Sequence, residues 1–298
     1  MGKPKFLITG ATGDTGRNAT HKLLEQGFDV RALVHKEDER SARLSAAGAE
    51  IVVGDLLDLD QIRSALDGVA AAYFVFPIQP GLIEATVYFA QAAKEAGVSA
   101  VVNMSQISAR RESRSHAARD HWIAERVFDW SGVPVTHLRP TFFAEWLLYP
   151  GNRNTIVERG VIEMPLGDGR HAPIAAEDQA RLIAKILTKP EPHAGKTYSL
   201  HGPIEMNQAG IAAAVSEMLG RKITYQPITI PQYRKRLERA GRPAFLTQHL
   251  CEVALDYQNG MFSGEDEVIA EVTGRAPMSV HEFVRQHQEA FKSNDAVA

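Results

Sequence analysis

The sequence predicts an α/β protein built on a Rossmann-like, doubly wound parallel sheet, with a smaller C-terminal α/β region. Two observations carry this prediction. Short apolar segments alternate with amphipathic ones from residue 5 to about 139, and a glycine-rich turn joins the first apolar segment to the first amphipathic one. Apolar segments without polar alternation are typical of strands buried on both faces. Strand–helix alternation with short connections indicates a doubly wound sheet.

Each element of this sheet follows from its local pattern. Segments rich in Val, Ile, Phe and Ala predict strands over 5–10, 30–34, 50–54, 70–76, 99–105 and 133–140. The amphipathic stretches predict helices over 14–26, 38–47, 59–66, 81–96 and 115–130. Gly27 follows the first helix, where a left-handed glycine commonly ends a helix. Functional loops follow the carboxyl ends of such strands, so we expect them at 10–16, 35–37, 54–56, 76–80, 105–108 and 140–146.

After Pro140 the alternation breaks, and segments 149–154 and 166–173 are rich in turn residues. Strands are predicted over 196–200 and 222–228. Helices are predicted over 177–187, 231–240 and 244–258, from Asn207 to Gly220, and from Ser279, which forms a capping-box pattern with Glu282. We expect a nucleotide-binding domain over 1–145, to which 173–200 returns, and a smaller substrate-binding region formed by 146–172 and 201–298. Residues 293–298 are expected to be a frayed tail.

The composition argues against several function classes. With 33 Lys+Arg against 36 Asp+Glu, the net charge of −3 gives no electrostatic reason to expect nucleic acid or an anionic membrane as the main partner. No segment has the roughly 18 uninterrupted apolar residues of a membrane helix, and the N-terminus is too short in apolar residues for a signal peptide. Cys251 is the single cysteine and is expected in the core, and the 11 histidines form no compact metal motif. We expect a cytoplasmic protein without a metal.

The glycine-rich turn GATGDTG places Gly10, Gly13 and Gly16 between a strand and a helix. Gly10 would allow the turn out of the strand, Gly13 the approach of the backbone to a pyrophosphate, and Gly16 close helix–strand contact. The first N–H groups of the helix would face the phosphates. Asp14 is expected to cap the helix, and Arg17 either contacts phosphate or lies in solvent. The candidate cofactor contacts of this loop are Gly10, Thr12, Gly13, Asp14, Thr15 and Gly16.

The end of the second strand bears on the choice of nucleotide. An acidic residue about 20 positions beyond the loop would bind the ribose 2′-OH and favour NAD. The sequence instead has His35 followed by Lys36. Because a basic pair can neutralise a 2′-phosphate, NADP(H) is the preferred cofactor, with NAD(H) as the alternative. Arg31, inside the strand, is a further candidate for this contact.

Four later motifs follow the glycine loop in order: GDLLD at 54–58, FVFP at 74–77, NMS at 103–105 and HLRPTFF at 137–143. With the HWIAE segment and GDGRHAPIAAEDQARLIAKIL at 167–187, they resemble the NmrA-like family of atypical short-chain dehydrogenases/reductases. That family includes NAD(P)H-dependent reductases of quinones and dyes, and also regulators that bind nucleotide without known turnover. The resemblance covers most of the chain.

The resemblance implies roles for residues at the strand ends. These are Asp55 and Leu56 at the adenine, Phe76 and Pro77 at the cofactor ribose, Ser105 near the nicotinamide, and Pro140, Thr141 and Phe142 beside nicotinamide and substrate. The residues themselves leave alternatives open. Asp55 could cap the next helix, and Phe76 and Phe142 could belong to the core.

The Tyr-x-x-x-Lys motif by which short-chain dehydrogenases usually activate a carbonyl is absent, since none of the seven tyrosines has a lysine four positions later. Where that motif would fall, His121 and Glu125 lie one turn apart on one helix face. A histidine can donate to a developing oxyanion near neutral pH. We therefore predict that His121 polarises or protonates the substrate and that Glu125 orients it, with Ser105 as the third catalytic candidate. The alternative is a histidine that merely pairs along its helix.

An aromatic run follows the sixth strand and would suit the rim of a pocket for a small aromatic substrate, or ordinary packing. Its members are Phe142, Phe143, Trp146, Leu147 and Tyr149. The leading hypothesis is an NAD(P)H-dependent reductase that transfers hydride to a quinone-like or other conjugated aromatic acceptor. The alternative is a non-catalytic NAD(P)-binding, redox-sensing regulator that acts through a protein partner. A homodimer is a further hypothesis.

Overall fold

The computed structural model describes residues 3–292, so the predicted tail at 293–298 lies outside the described residues. The chain divides into two units. The first contains Met1–Arg139 and Ala176–Ser199, and the second contains Pro140–Ala175 and Leu200–Ala298.

The first unit is built on a seven-stranded sheet covered by helices. Its strands are β1 (Lys5–Ile8), β2 (Asp29–Val34), β3 (Glu50–Val53), β4 (Ala71–Phe74), β5 (Ala100–Met104), β6 (Val135–Pro140) and β9 (Thr197–Leu200). Its α-helices are α1 (Asp14–Glu25), α2 (Glu39–Ala46), α3 (Leu59–Leu66), α4 (Leu82–Glu95), α5 (His116–Ser131) and α7 (Ala176–Thr188), with a 3-10 helix over Glu191–His193. The predicted Rossmann-like fold is confirmed.

The strand order is β3-β2-β1-β4-β5-β6-β9. Strands β1 to β6 pair in parallel, with β2 and β4 on either side of β1. The chain therefore winds outward in one direction from β1 and in the other from β4. In open α/β sheets, ligands bind at the carboxyl ends of the strands where the order reverses. The gap between the ends of β1 and β4 is that position here.

Side-chain packing explains why the predicted helices form where they do. The apolar side of α1 buries Ala19 and Leu23, and Gly27, in the left-handed region with φ of 80°, follows it as predicted. An aromatic group joins β4 to α4 and α5, with the ring centre of Phe74 lying 4.8 Å from that of Phe89 and 5.3 Å from that of Phe128. Such pairs stabilise a core beyond the area they bury.

The second unit has two small sheets and six α-helices among its described residues. Strands β8 (Arg170–His171) and β10 (Met206–Asn207) pair antiparallel, and β7 (Val161–Met164) and β11 (Thr224–Pro227) pair in parallel. The helices are α6 (Pro150–Arg159), α8 (Gln208–Leu219), α9 (Ile230–Arg239), α10 (Ala244–Gln258), α11 (Val268–Thr273) and α12 (Val280–Gln286), with 3-10 helices over Ala144–Leu148 and Gln288–Phe291.

Several predictions for this unit are confirmed and one is wrong. Asn207 caps α8 by accepting from the N–H of Gly210, and Ser279 and Glu282 form the capping box of α12. The turn residues over 149–154 predicted no helix, but α6 begins at Pro150. Proline is tolerated in the first turn because that N–H has no helical partner. The longest described helix, α5, has 16 residues; nowhere in 3–292 is a helix both long and apolar enough to cross a bilayer.

Candidate functional site

The glycine loop after β1 requires glycine at two positions. Gly10 has φ of +54°, and a Cβ there would lie 2.5 Å from Cγ1 of Val75. A Cβ on Gly16 would lie 2.4 Å from the carbonyl oxygen of Gly10. Both distances are shorter than real contacts of a Cβ atom, and the second involves backbone that cannot rotate away. The turn and the close helix–strand approach expected of a phosphate-binding loop are therefore both present.

The first turn of α1 presents its N–H groups without a side-chain cap. Gly13 is the exposed N-cap residue, makes no side-chain cap, and donates its own N–H to the carbonyl of Gly10 at 2.9 Å. The prediction that Asp14 caps the helix is wrong, because Asp14 is the first helical residue and its carboxylate lies 3.6 Å from Nη2 of Arg17. N–H groups at an uncapped helix start suit an anion. Thr12 is half-buried beside them.

Two threonines fasten the loop to the neighbouring strand. The hydroxyl of Thr9 donates to the carbonyl of Val75 at 3.1 Å and accepts from the N–H of the same residue at 2.8 Å. The hydroxyl of Thr15 lies 3.0 Å from that of Tyr73. Tyr73 is fully buried, and its burial raises the pKa of the phenol well above its usual value. Neither tyrosine nor threonine carries charge, so they fix the loop without repelling a phosphate.

The end of β2 exposes the predicted basic pair. His35 and Lys36 directly follow the strand and both are exposed. Arg31, in contrast, is engaged elsewhere: its guanidinium lies 3.0 Å from the Glu50 carboxylate and donates to the carbonyl of Ala65 at 2.7 Å. The suggestion that Arg31 contacts a cofactor phosphate is therefore wrong. The reason is strand register, which pairs Arg31 with Glu50 on β3.

The loop after β3 is ordered by its own side chains. Oδ1 of Asp55 accepts from the N–H of Leu57 at 2.9 Å, and the Asp55 N–H donates to Gln61 at 2.9 Å. The helix that follows is capped by Asp58, so Asp55 is not its cap. Leu56 packs partly buried against the core.

The two predicted residues of the loop after β4 differ in their exposure to solvent. Phe76 is 5% exposed and belongs to the core of this unit, whereas Pro77 is exposed. The core interpretation of Phe76 therefore holds, and Pro77 is available at the surface.

The end of β5 carries two buried polar atoms without a hydrogen-bond partner in the described part of the chain. They are Oγ of Ser105 and Nε2 of Gln106. Ser105 is 2% exposed, and its backbone N–H donates to the carbonyl of Leu138 at 2.7 Å. Leaving such an atom unsatisfied costs about 1–3 kcal/mol, so both atoms suit a polar group of a ligand. Gln106 escaped the sequence-based search because it belongs to no motif, although its loop was singled out.

Helix α5 turns His121 and Glu125 inward. His121 is 4% exposed and Glu125 is fully buried. Both Glu125 oxygens accept from Arg139 on β6, from Nε at 2.8 Å and from Nη2 at 2.5 Å. This pairing raises the pKa of Arg139. The orienting role assigned to Glu125 stays a prediction, and the structure adds Arg139 as its charge partner.

A second polar contact lies one turn further along the same face. Oδ1 of Asp129 lies 3.0 Å from Nε2 of His137, whose Nδ1 lies 2.9 Å from the side-chain nitrogen of Asn103. Burial lowers the pKa of His137, so the neutral ring donates from Nε2 to the carboxylate and accepts at Nδ1. Two carboxylates of α5 therefore pair with side chains of β6, the buried Glu125 with Arg139 and the exposed Asp129 with His137.

The predicted residues at the end of β6 and directly after it, from Pro140 onward, belong to the second unit. Pro140 and Thr141 are buried, and the Thr141 hydroxyl lacks a partner within 3–292. Phe142 is half-buried among other rings. Residues 3–292 hold no group of three or more His, Cys, Asp or Glu side chains arranged to bind a metal.

The reversed strand order, the two obligatory glycines and the uncapped helix define a dinucleotide-binding protein of the Rossmann type. The family model that matches is that of the NmrA-like family, over residues 2–283. The chain belongs to the NmrA-like family.

Named relatives agree with this membership. An NAD(P)H azoreductase of Xenophilus azovorans is 31% identical over 288 residues, covering 96% of this chain and 99% of the relative. Quinone oxidoreductase 2 of Escherichia coli strain K12 is 26% identical, with 94% and 97% coverage.

Solved structures share the fold over nearly the whole chain. An NADPH-dependent quinone oxidoreductase of Escherichia coli, complexed with NADPH, has a TM-score of 0.83 at 25% identity and covers 95% of this chain and 99% of its own. NmrA, a negative transcriptional regulator in complex with NAD, has a TM-score of 0.84 at 17% identity, with coverage of 100% and 99%, and shows the fold alone. The azoreductase and the quinone oxidoreductases support the assignment as an NAD(P)-binding oxidoreductase.

Proposed function

We propose that this protein is an NAD(P)H-dependent reductase that transfers hydride to a quinone-like or other conjugated aromatic acceptor. The observation that carries the proposal is the glycine loop, where Gly10 and Gly16 have no room for a side chain. Support also comes from the azoreductase and the quinone oxidoreductase, which align over almost their full lengths. Quinones are easily reduced, so the missing Tyr-x-x-x-Lys motif is compatible with this chemistry.

The residues of the first unit fit a dinucleotide. The loop backbone and the first turn of α1 would hold the pyrophosphate, with hydroxyls of Thr12 and Thr15 beside it. Asp55 and Leu56 would line the adenine, and Pro77 the ribose. When bound, the reduced nicotinamide supplies the hydride.

The cofactor preference proposed is NADP(H). His35 and Lys36 are exposed directly after β2, at the position where an acidic residue would favour NAD(H). Their side chains are free to approach a 2′-phosphate, and Lys36 contributes a full positive charge there.

Ser105, Gln106 and His121 are assigned to the reacting end of the site. The unsatisfied Ser105 hydroxyl and Gln106 amide would bind the carboxamide of the nicotinamide or an acceptor oxygen. His121 would donate a hydrogen bond or the proton that accompanies hydride transfer to a quinone oxygen. Positioning of acceptor and cofactor supplies the remainder of the rate enhancement.

The test is a titration of the purified protein with NADPH and NADH, followed by nicotinamide fluorescence. Benzoquinone, naphthoquinone and an azo dye are then added while the absorbance of the reduced nicotinamide is recorded. We expect tighter binding of NADPH and oxidation that depends on the acceptor. Binding without oxidation by any acceptor would contradict the reductase proposal and favour the regulator hypothesis, and no binding of either nucleotide would overturn both.

Variants separate binding from chemistry. His121→Ala is expected to lower kcat while the Kd of NADPH changes little, and Ser105→Ala is expected to lower kcat. Unchanged kcat in both variants would remove these residues from the reaction.

A further inference from the structure

Two pairs of polar side chains join strand β6 to helix α5 in the first unit. Arg139 pairs with Glu125, and Nε2 of His137, two residues earlier on the strand, lies 3.0 Å from Oδ1 of Asp129. Two residues of a strand span about 6.6 Å, and four residues of a helix span about 6 Å. The two pairs therefore match the spacing of both elements, so a shift of α5 by one residue would break both.

His137 also contacts the neighbouring strand β5. Its Nδ1 accepts from the side-chain N–H of Asn103 at 2.9 Å, and the two residues lie opposite each other in the register of β5 and β6. Both side chains are buried. Burial lowers the pKa of His137, so at neutral pH the ring is uncharged and each of its nitrogens makes one hydrogen bond. A single side chain thus links β5 to α5.

Strand β5 and helix α5 carry two of the residues assigned to the reacting end of the site. Ser105 lies two residues beyond Asn103, on the same face of β5, because side chains alternate along a strand. The N–H of Ser105 still bonds to β6, so the pairing of the two strands extends to this residue. His121 lies one turn before Glu125 on the inward side of α5. The link at His137 therefore bears on the distance between Ser105 and His121.

We propose that His137 is a positioning residue that fixes His121 relative to Ser105. It acts by bonding to β5 through Asn103 and to α5 through Asp129. The inference rests on the reductase function proposed above. A misplacement of about 1 Å can slow a positioned reaction about 100-fold, so release of α5 should be visible in kcat.

Two substitutions remove the hydrogen bonds of His137 one at a time. The amide nitrogen of His137→Gln stands near the place of Nε2 and keeps the bond to Asp129. The amide oxygen of His137→Asn stands near the place of Nδ1 and keeps only the bond to Asn103. Because the backbone ladder still holds β5, we expect kcat with benzoquinone to fall at most about 3-fold in His137→Gln. In His137→Asn, which releases α5, we expect a fall of about 10-fold or more.

Thr136→Val is the matched control. Thr136 precedes His137 on β6, is also buried, and donates its hydroxyl to the carbonyl of His193 at 2.9 Å. Because adjacent side chains of a strand point to opposite faces, this hydrogen bond lies on the side of the sheet away from α5. We expect Thr136→Val to keep the kcat of the parent protein. An equal loss of kcat in Thr136→Val and His137→Asn, or the parental kcat in His137→Asn, would overturn the proposal.

A measurement without turnover distinguishes this inference from the reductase proposal. The ring resonances of His121 in the NMR spectrum, assigned by comparison with His121→Ala, report the surroundings of that side chain. We expect these resonances to shift in His137→Asn and to keep their parental positions in His137→Gln and Thr136→Val. Unshifted resonances in His137→Asn would contradict the positioning role. If the parent protein reduces no quinone, the reductase proposal fails, while the His121 resonances still decide whether His137 places α5.

Discussion

Replacing Arg139 tests whether α5 is held to β6 by charge. Arg139→Met would leave the fully buried carboxylate of Glu125 with Arg126, at 3.6 Å, as its remaining ion-pair contact within 3–292. Removing one partner of a buried pair costs about 3–5 kcal/mol. Because the Arg139 side chain is 24% exposed, we expect the lower end, about 3 kcal/mol. For a unit of this size, that lowers Tm by roughly 6–12 °C.

The assay is urea denaturation and thermal unfolding at neutral pH, with two comparison variants. Arg126→Met removes a cation that also approaches Glu125, but at 3.6 Å and with a side chain that is 33% exposed, so we expect a loss of at most about 1 kcal/mol. Glu125→Met combined with Arg139→Met removes both charges and should return the free energy of unfolding to within about 1 kcal/mol of the parent. A double variant as unstable as Arg139→Met would refute this reasoning.

The same double variant separates structure from catalysis. If Glu125 orients His121, the double variant should fold stably and still lose kcat. If the double variant is stable and has the kcat of the parent protein, Glu125 has a structural role only.

Three further outcomes are expected. Gly16→Ala should raise the Kd of NADPH at least about 10-fold, because its Cβ would lie 2.4 Å from the backbone of Gly10. The control is Gly151→Ala, whose Cβ would have no neighbour within 4 Å. Equal affinities of the two variants for NADPH would contradict the loop geometry. Lys36→Glu should weaken NADPH binding about 5- to 10-fold more than NADH binding, measured by fluorescence titration; parallel changes would reject the 2′-phosphate contact. The pKa of His171 is about 3 when folded and about 6.5 when unfolded, so the unfolded chain takes up the proton first and stability falls as pH drops below about 6.5. Between pH 6.5 and 5 the loss is about 2 kcal/mol, and His171→Phe should remove that part of the pH dependence of the unfolding free energy.

The fold was predictable because its signals are local. Continuous apolar segments gave the parallel strands, and Gly27 and the capping residues marked helix ends close to where they occur. Helix α6 was missed since Pro150, Gly151 and Asn152 favour turns, whereas the helix is stabilised by tertiary packing of Ile156, which is fully buried.

The candidate site was predictable from the sequence only at the glycine loop, where the residues act through the conformation of the local backbone. The glycine loop needs no distant partner to be recognised. Three other features depend on how the strands and helices are placed relative to one another. They are the ion pair of Arg139 with Glu125, the ion pair of Arg31 with Glu50, and the unsatisfied amide of Gln106. A single sequence carries no record of that placement.

The double hydrogen bond between the Thr9 side chain and the backbone of Val75 has a consequence for affinity. The hydroxyl behaves as a substitute peptide group and extends the ladder between β1 and β4 one step past the point where the strands separate. The gap between the ends of β1 and β4 is thereby held at a fixed width before a ligand binds, so binding loses little free energy to rearrangement of the two strands. Thr9→Val would keep the shape of the side chain but remove both hydrogen bonds to Val75. Faster hydrogen exchange at the Val75 amide would then report the loosened strand ends while the fold is unchanged.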